Sequence, residues 1–157
     1  MAEARRIDPD AEGFSGGIPR KLDDKARVVL PAGEWRDAFA EGAKLTPWKG
    51  CMALWTHRSY REVCNFMRQK VRDEELEEWV LVTFREDTVD VKADTQGRLQ
   101  LPDKLRALAG IAGAQGTEVL LSGQDDHVRL WDAARWAEQR QTHPPGAAAD
   151  ALDALRF

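Results

Sequence analysis

Leu22-Asp23-Asp24-Lys25-Ala26-Arg27-Val28-Val29-Leu30-Pro31 and Ala93-Asp94-Thr95-Gln96-Gly97-Arg98-Leu99-Gln100-Leu101-Pro102 are the two stretches on which the fold turns. Both read Asp, three residues, Arg, two residues, Leu-Pro. After each Leu-Pro comes a short helix-like stretch and then a strand ending in tryptophan, Cys51 to Trp55 in the first copy and Val128 to Trp131 in the second. Each strand leads into a helix with an aromatic residue five positions on, Tyr60 and Trp136. Matched features in the same order mark an internal repeat.

Local chemistry gives each copy its elements. Val89 and Val91 alternate with Asp90 and Lys92, which predicts a half-buried strand; Leu99 and Leu101 alternate beyond a turn at Asp94 to Gly97, so the pair is expected to form a hairpin. Gly97 takes positive φ without a Cβ penalty, and Asp94 can accept hydrogen bonds from amides within its own turn. The first copy has Asp23 and Ala26 at these places. If both turns share one backbone, Ala26 carries about 1 kcal/mol of strain.

Pro31 and Pro102 suit the first turn of a helix, where an N–H is not needed, so a helix is expected to start at each. Trp35, Ala38 and Phe39 fall on one face of the first helix and Leu105, Leu108 and Ala109 on one face of the second, with Gly42 and Gly110 as stops. A longer helix is expected from Arg58 toward Val82, with Tyr60, Val63, Cys64, Met67 and Val71 inward and Arg68 to Glu78 facing water. Trp79 to Phe84 is nearly continuously apolar and fits either a buried helix end or a strand.

The chain has 157 residues, 43% hydrophobic and 32% charged, enough for one core or two small cores sharing an interface. Cys51 and Cys64 make neither a disulfide framework nor a zinc spacing, and a reducing cytoplasm is the expected setting. Met1 to Gly13 is polar and mixed in charge, and no run of about 18 apolar residues occurs, so neither secretion nor membrane spanning is expected. The net charge of −4 means that any surface for a polyanion must be local. Local cations do cluster, as Arg20, Lys21, Lys25 and Arg27, and as Lys92 with Arg98.

The doubled Asp-x-x-x-Arg-x-x-Leu-Pro signature resembles the MraZ family, a branch of the AbrB/SpoVT swapped-hairpin superfamily. Phe14-x-Gly16 ahead of Asp23, Gly97-Arg98-Leu99, and Gly123-Gln124 running to Leu130-Trp131 are similar to further motifs of that family, over about residues 14 to 140. The resemblance implies a mainly β fold with helices: two tandem AbrB-like swapped-hairpin units, 14–84 with a linking helix and 85–142, forming one pseudo-symmetric β-barrel core with peripheral helices. Residues 1–13 and 143–157 are expected to be flexible. It also implies a ring-like homo-oligomer, double-stranded DNA carrying direct repeats upstream of division and cell-wall genes as partner, and transcriptional control in the cytoplasm at the nucleoid. No cofactor, metal or small-molecule substrate is expected. The sequence departs from the family's pattern at Ala26, where glycine is usual, at Glu78 to Arg85, which lacks an arginine pattern, and in the thirteen residues before Phe14.

The candidate DNA-binding residues are Arg20, Lys21, Lys25, Arg27, Lys92 and Arg98. Arg27 and Arg98 lead, because a planar guanidinium grips a phosphate or a guanine edge with two donors. Asp23 and Asp94 are expected, with Ala26 and Gly97, to structure the turns, since a carboxylate repels phosphate. Arg20, Lys21, Lys25 and Lys92 would add contacts to the DNA backbone that position the protein without reading sequence. The alternatives are a surface ion pair worth about 0–1 kcal/mol for each Asp-x-x-x-Arg, and a solvated face for the flanking cations. Trp48, Trp79 and Trp136 belong either to subunit contacts or to the core.

Catalysis is not expected. His57 with Ser59, and Asp126-His127 after Ser122, lack a nucleophile elbow, and Asp87, Asp90, Asp125 and Asp126 miss the EF-hand spacing. The alternative function is an oligomeric scaffold of the same fold that binds a protein partner rather than DNA.

Overall fold

The structure is a computed structural model and describes residues 13–156; of the expected N-terminal extension all but Gly13 lies outside the described residues. Six strands, β1 (Gly17–Lys21), β3 (Ala43–Trp48), β4 (Cys51–Trp55), β5 (Val89–Val91), β7 (Glu118–Gly123) and β8 (His127–Asp132), form one antiparallel sheet in the order β1-β7-β8-β4-β3-β5. The remaining two, β2 (Arg27–Val29) and β6 (Arg98–Gln100), pair only with each other. The helices are α1 (Glu34–Ala38), α2 (His57–Arg72), α3 (Glu78–Glu86), α4 (Asp103–Ala109), α5 (Ala133–Thr142) and α6 (Ala147–Ala154).

The sheet is not closed into the expected barrel. Its edge strands β1 and β5 have one neighbour each, β7 and β3, and the segments that follow them leave the sheet to make the β2–β6 ribbon. The expected hairpin of Val89–Val91 with Leu99–Leu101 is absent for the same reason. Its first arm pairs with β3 and its second with β2, so each half's turn joins two strands whose hydrogen bonds go to other partners. The ribbon's register is symmetric: Val28 faces Leu99 at its centre, and Arg27–Gln100 is matched by Arg98–Val29. The sheet repeats this symmetry, Met52–Leu130 being matched by Leu54–Val128 about a central Ala53–Arg129.

The ribbon covers one face of the sheet. Val28 and Leu99 join Leu45, Met52, Leu54, Leu121, Val128 and Leu130 in a single apolar cluster, flanked by Trp35 and Phe39 from the α1 side and Leu105 and Ala109 from α4. The opposite face holds a smaller cluster of Ala53, Trp55 and Val63, with Trp48, Tyr60, Met67 and Phe84 against it. All five residues of β4 are buried, as expected for a strand covered on both faces, with Met52 and Leu54 in one cluster and Ala53 and Trp55 in the other.

Several local expectations are corrected. Neither helix starts with proline inside its first turn: α1 begins after Gly33, and Pro102 is the extended N-cap of α4. The reason is that the Leu30 and Leu101 amides still donate to the opposite half, to Gly97 O and Ala26 O, which keeps the chain extended into the proline. Ala38 is exposed and Leu108 is 54% exposed, because these short helices bury only an i, i+4 stripe, Trp35–Phe39 and Leu105–Ala109. Trp79 to Phe84 resolves as helix; β3 already has β4 and β5 on its two edges, leaving no slot for a strand. The long helix expected from Arg58 toward Val82 is interrupted between Arg72 and Glu78. Within the tail expected to be flexible, Ala147–Ala154 forms α6.

Candidate nucleic-acid interface

The two signature turns have the same construction. Asp23 Oδ1 accepts from the Lys25 and Arg27 amides, both at 2.9 Å, and Oδ2 from Arg27 Nε at 2.7 Å. Asp94 Oδ1 accepts from the Gln96 and Arg98 amides, both at 2.9 Å, and Oδ2 from Arg98 Nε at 2.7 Å. The backbone closes each turn identically, Asp23 N–H to Arg27 O and Ala26 N–H to Asp23 O, then Asp94 N–H to Arg98 O and Gly97 N–H to Asp94 O. Ala26 has φ 55° and Gly97 φ 78°, so alanine occupies the left-handed position that glycine fills in the other half.

The ribbon brings the turns together. Arg27 Nη1 lies 3.8 Å from Asp94 Oδ2, linking the two Asp–Arg pairs into one four-charge cluster. Burial within its turn pushes the Asp23 carboxyl up, yet the Arg27 and Lys25 amides and the Arg27 guanidinium outweigh it and hold the group below its usual value. For Asp94 the Arg98 amide is the leading cause of a lowered pKa, reinforced by the Arg98 guanidinium and the Gln96 amide and opposed by burial. Both carboxylates therefore stay ionised and keep their arginines oriented. The arginine side chains retain 20% and 32% exposure, so each spends Nε on its aspartate while part of the guanidinium reaches solvent.

Lys25 is exposed at the first turn, and Arg20 donates from Nε to Val29 O at 3.0 Å, tying β1 to β2 behind that turn. Lys92 is exposed just after β5, in a groove shared with Asp90, Gln100 and Asp103. Lys21 is exposed at the end of β1, opposite Glu118, and lines a separate groove beside Trp136. Arg20, Lys25, Arg27 and Arg98 thus gather around the ribbon, whereas Lys21 and Lys92 sit on the strands leading into it.

Two residues that the sequence reading did not single out support the turns. Arg36 donates from Nη2 to Leu30 O at 2.9 Å, and Arg106 from Nε to Leu101 O at 3.1 Å while also pairing with Asp103. Arg36 also packs on Gly97: a Cβ there would lie 2.3 Å from its Nε. The available signal was an arginine five residues after Pro31 and four after Pro102.

Of the residues considered for catalysis, Ser59, Asp126 and His127 make structural contacts. Thr56 caps α2 by accepting from the Ser59 amide and donating to its hydroxyl, each at 3.0 Å. His127 is buried, bonds Asp126 Oδ1 through Nδ1 at 2.7 Å, accepts from Arg129 Nε at 3.2 Å and stacks on Trp55. Burial pushes the Cys51 thiol up to about 12 against the opposing charge of Arg129, so the reactive thiolate is suppressed. Among the described residues no group of three or more His, Cys, Asp or Glu is arranged to hold a metal ion, and no helix is long and apolar enough to cross a membrane.

Comparison with known proteins agrees with the doubled signature. A family model described as "MraZ protein, putative antitoxin-like" matches residues 84–156, the second half. "Transcriptional regulator MraZ" of Arthrobacter sp. (strain FB24) is 31% identical over 127 residues, 80% of this chain and 85% of the relative. The protein of that name from Mycobacterium sp. (strain KMS) is 30% identical over 144 residues, 91% of this chain and 97% of the relative, and that from Thermomicrobium roseum 31% over 132 residues, 82% and 87%. With both signature turns inside a similarity that runs through nearly the whole length of such relatives, the chain belongs to the MraZ family.

Proposed function

We propose that this chain is a sequence-specific DNA-binding transcriptional regulator. It acts in the cytoplasm, at the nucleoid, on direct repeats in a promoter of the division and cell-wall type. The observation that carries the reading is the pair of congruent Asp-x-x-x-Arg turns, joined across the β2–β6 ribbon and linked by the 3.8 Å approach of Arg27 to Asp94. The relatives' name, transcriptional regulator, supports it. The symmetric register of the ribbon and the matched turns support reading the chain as two tandem swapped-hairpin units, 14–84 and 85–142, with the C-terminal segment outside them.

In this mechanism Asp23 and Asp94 fix the guanidinium planes of Arg27 and Arg98, and the outer Nη groups meet phosphate or a guanine edge. Lys25, Arg20, Lys21 and Lys92 add contacts to the sugar-phosphate backbone that set position without reading sequence. A net charge of −4 is overcome by assembly: a closed, ring-like homo-oligomer presents many turns to successive repeats, and each weak contact then acts at high effective concentration. A duplex with the repeats of the chain's own upstream region, titrated against a scrambled duplex at low and physiological salt, tests the reading. Tighter binding to the repeat duplex is expected; equal binding to both overturns sequence specificity.

One observation favours the scaffold alternative: Nε of both arginines is already committed to a carboxylate on a net acidic chain. A pull-down from cells, with and without nuclease, separates the readings. A partner protein retained after nuclease, with no DNA enrichment before it, would favour the scaffold.

A further inference from the structure

We propose that α3 of one copy docks into the Trp136 groove of a second copy, forming the head-to-tail contact of the homo-oligomer; the inference rests on the homo-oligomer named above and assigns its two faces.

The helix comes first. Trp79, Val80, Leu81, Val82 and Phe84 make α3 apolar on nearly every side, yet none of its residues is buried. A helix of that composition is normally enclosed. Val80 and Phe84 line the cleft against α2, whereas Trp79, 63% exposed, and Val82, 44% exposed, share the outer face with Glu86. Glu74, Glu75, Glu77 and Glu78 give the helix and its approach a strongly acidic character.

The groove is the second observation. Pro19, Leu120, Ala133, Trp136 and Ala137 line an apolar depression of about 540 Å³ between β1, β7 and α5. Its charged edge is mainly basic: Arg20 and Lys21 line it beside Glu118, and the Arg140 guanidinium lies 5.7 Å from the Trp136 ring. Apolar matches apolar, and the acidic helix meets a rim with a surplus of positive charge.

The internal symmetry supplies the third. Tyr60 and Trp136 occupy equivalent places, one turn into the helix after each β-strand pair. In the first half α3 of the same chain covers Tyr60: Phe84 stacks on it at 5.7 Å, and Thr88 just beyond α3 bonds its hydroxyl at 2.7 Å. In the second half no aromatic ring among the described residues covers Trp136. The place left open on one half, among the described residues, and the uncovered face of the helix that fills its counterpart are different surfaces, so the contact is heterologous and forms a ring where its rotation closes. Among the described residues the other available occupant is α6, which carries exposed Leu152 and Leu155 beside Asp150 and Asp153. It carries no aromatic ring to set against Trp136, whereas α3 presents Trp79.

Sedimentation velocity of the full chain without DNA, over a concentration series, tests this. Trp79→Ala is expected to weaken self-association at least tenfold. Lys21→Glu alone and Glu77→Lys with Glu78→Lys are each expected to weaken it, and combining the two reversals to restore it; circular dichroism on every variant checks that folding is kept. Wild-type oligomers left intact by Trp79→Ala and by both charge reversals overturn the docking while leaving the homo-oligomer standing. A wild-type chain that stays monomeric overturns both. Loss of association on ending the chain at residue 142, with Trp79→Ala unaffected, overturns α3 in favour of α6.

Discussion

The amide of Leu101 donates to the carbonyl of Ala26 at 3.0 Å, and its counterpart, Leu30, donates to the carbonyl of Gly97 at 2.8 Å. The left-handed residue of each turn is therefore the point at which one half of the chain grips the other. A turn so placed does two tasks: it aims an arginine, and it locks the ribbon that covers the core.

Substitutions at these two positions are expected to be asymmetric. Ala26→Gly relieves about 1 kcal/mol of left-handed strain but loses a buried methyl worth about 0.8 kcal/mol and loosens the unfolded chain by about 0.4–1 kcal/mol. The terms nearly cancel, so stability should change by less than about 1 kcal/mol. Gly97→Ala adds that strain and drives its Cβ into Arg36, whose bond to Leu30 O must shift; about 1–3 kcal/mol of destabilisation is expected. Denaturant melts of the two variants check the contrast, which equal effects would contradict.

The cross-half pair Val28–Leu99 lies at the centre of the ribbon, and both side chains are fully buried. Leu99→Ala is expected to cost about 2–5 kcal/mol, and Val28→Ala less, as fewer methyl groups are removed. Because the two side chains share one patch of core, the double variant should depart from additivity by about 0.5 kcal/mol or more, which a double-mutant cycle measures. Strict additivity would mean that the two halves do not meet there.

The Asp23 and Asp94 carboxyls have native pKa values below the ordinary 3.8. A depressed carboxylate contributes stability above its unfolded pKa, and that contribution is lost as pH falls through the native one. Wild-type stability should therefore drop as pH falls below about 3.8, and Asp94→Asn should flatten part of that drop while lowering stability at neutral pH. Thermal melts from neutral to acid pH give the readout; an unchanged acid slope in Asp94→Asn would show that the pair does not support the turn.

Tyr60 binds Thr88 through its hydroxyl at 2.7 Å, and Thr88 passes the bond on to Phe84 O at 2.8 Å, fixing the end of α3. Tyr60→Phe should cost about 0.5–1.5 kcal/mol, with amide exchange rising first in α3, a helix with no buried residue whose end this bond holds.

The repeat and the strand at Cys51 to Trp55 were legible because their signals are local: an Asp with its i+4 Arg, and a run bounded by turns. Which strands pair was not legible. Val89–Val91 and Leu99–Leu101 read as a hairpin by every local rule, and only the symmetric competition from β2 and β3 decides that the arms separate. The same long-range bonds hold Pro31 and Pro102 outside their helices. At the site, Asp23, Arg27, Asp94 and Arg98 were legible from spacing alone. The buttressing of the turns by Arg36 and Arg106 was not, because it depends on how α1 and α4 lie beneath the ribbon.

The proposed function requires the two turns to act together as one face for DNA. Anisotropy titrations of the promoter-repeat duplex over a salt series, with Lys25→Ala plus Lys92→Ala and with Arg27→Ala plus Arg98→Ala, test it most directly. The lysine pair should reduce the slope of log K against log salt by about 2 per chain engaged, whereas the arginine pair should also remove the preference for repeat over scrambled sequence. Wild-type affinity, slope and preference in both double variants, with folding intact, would show that the turns do not hold DNA.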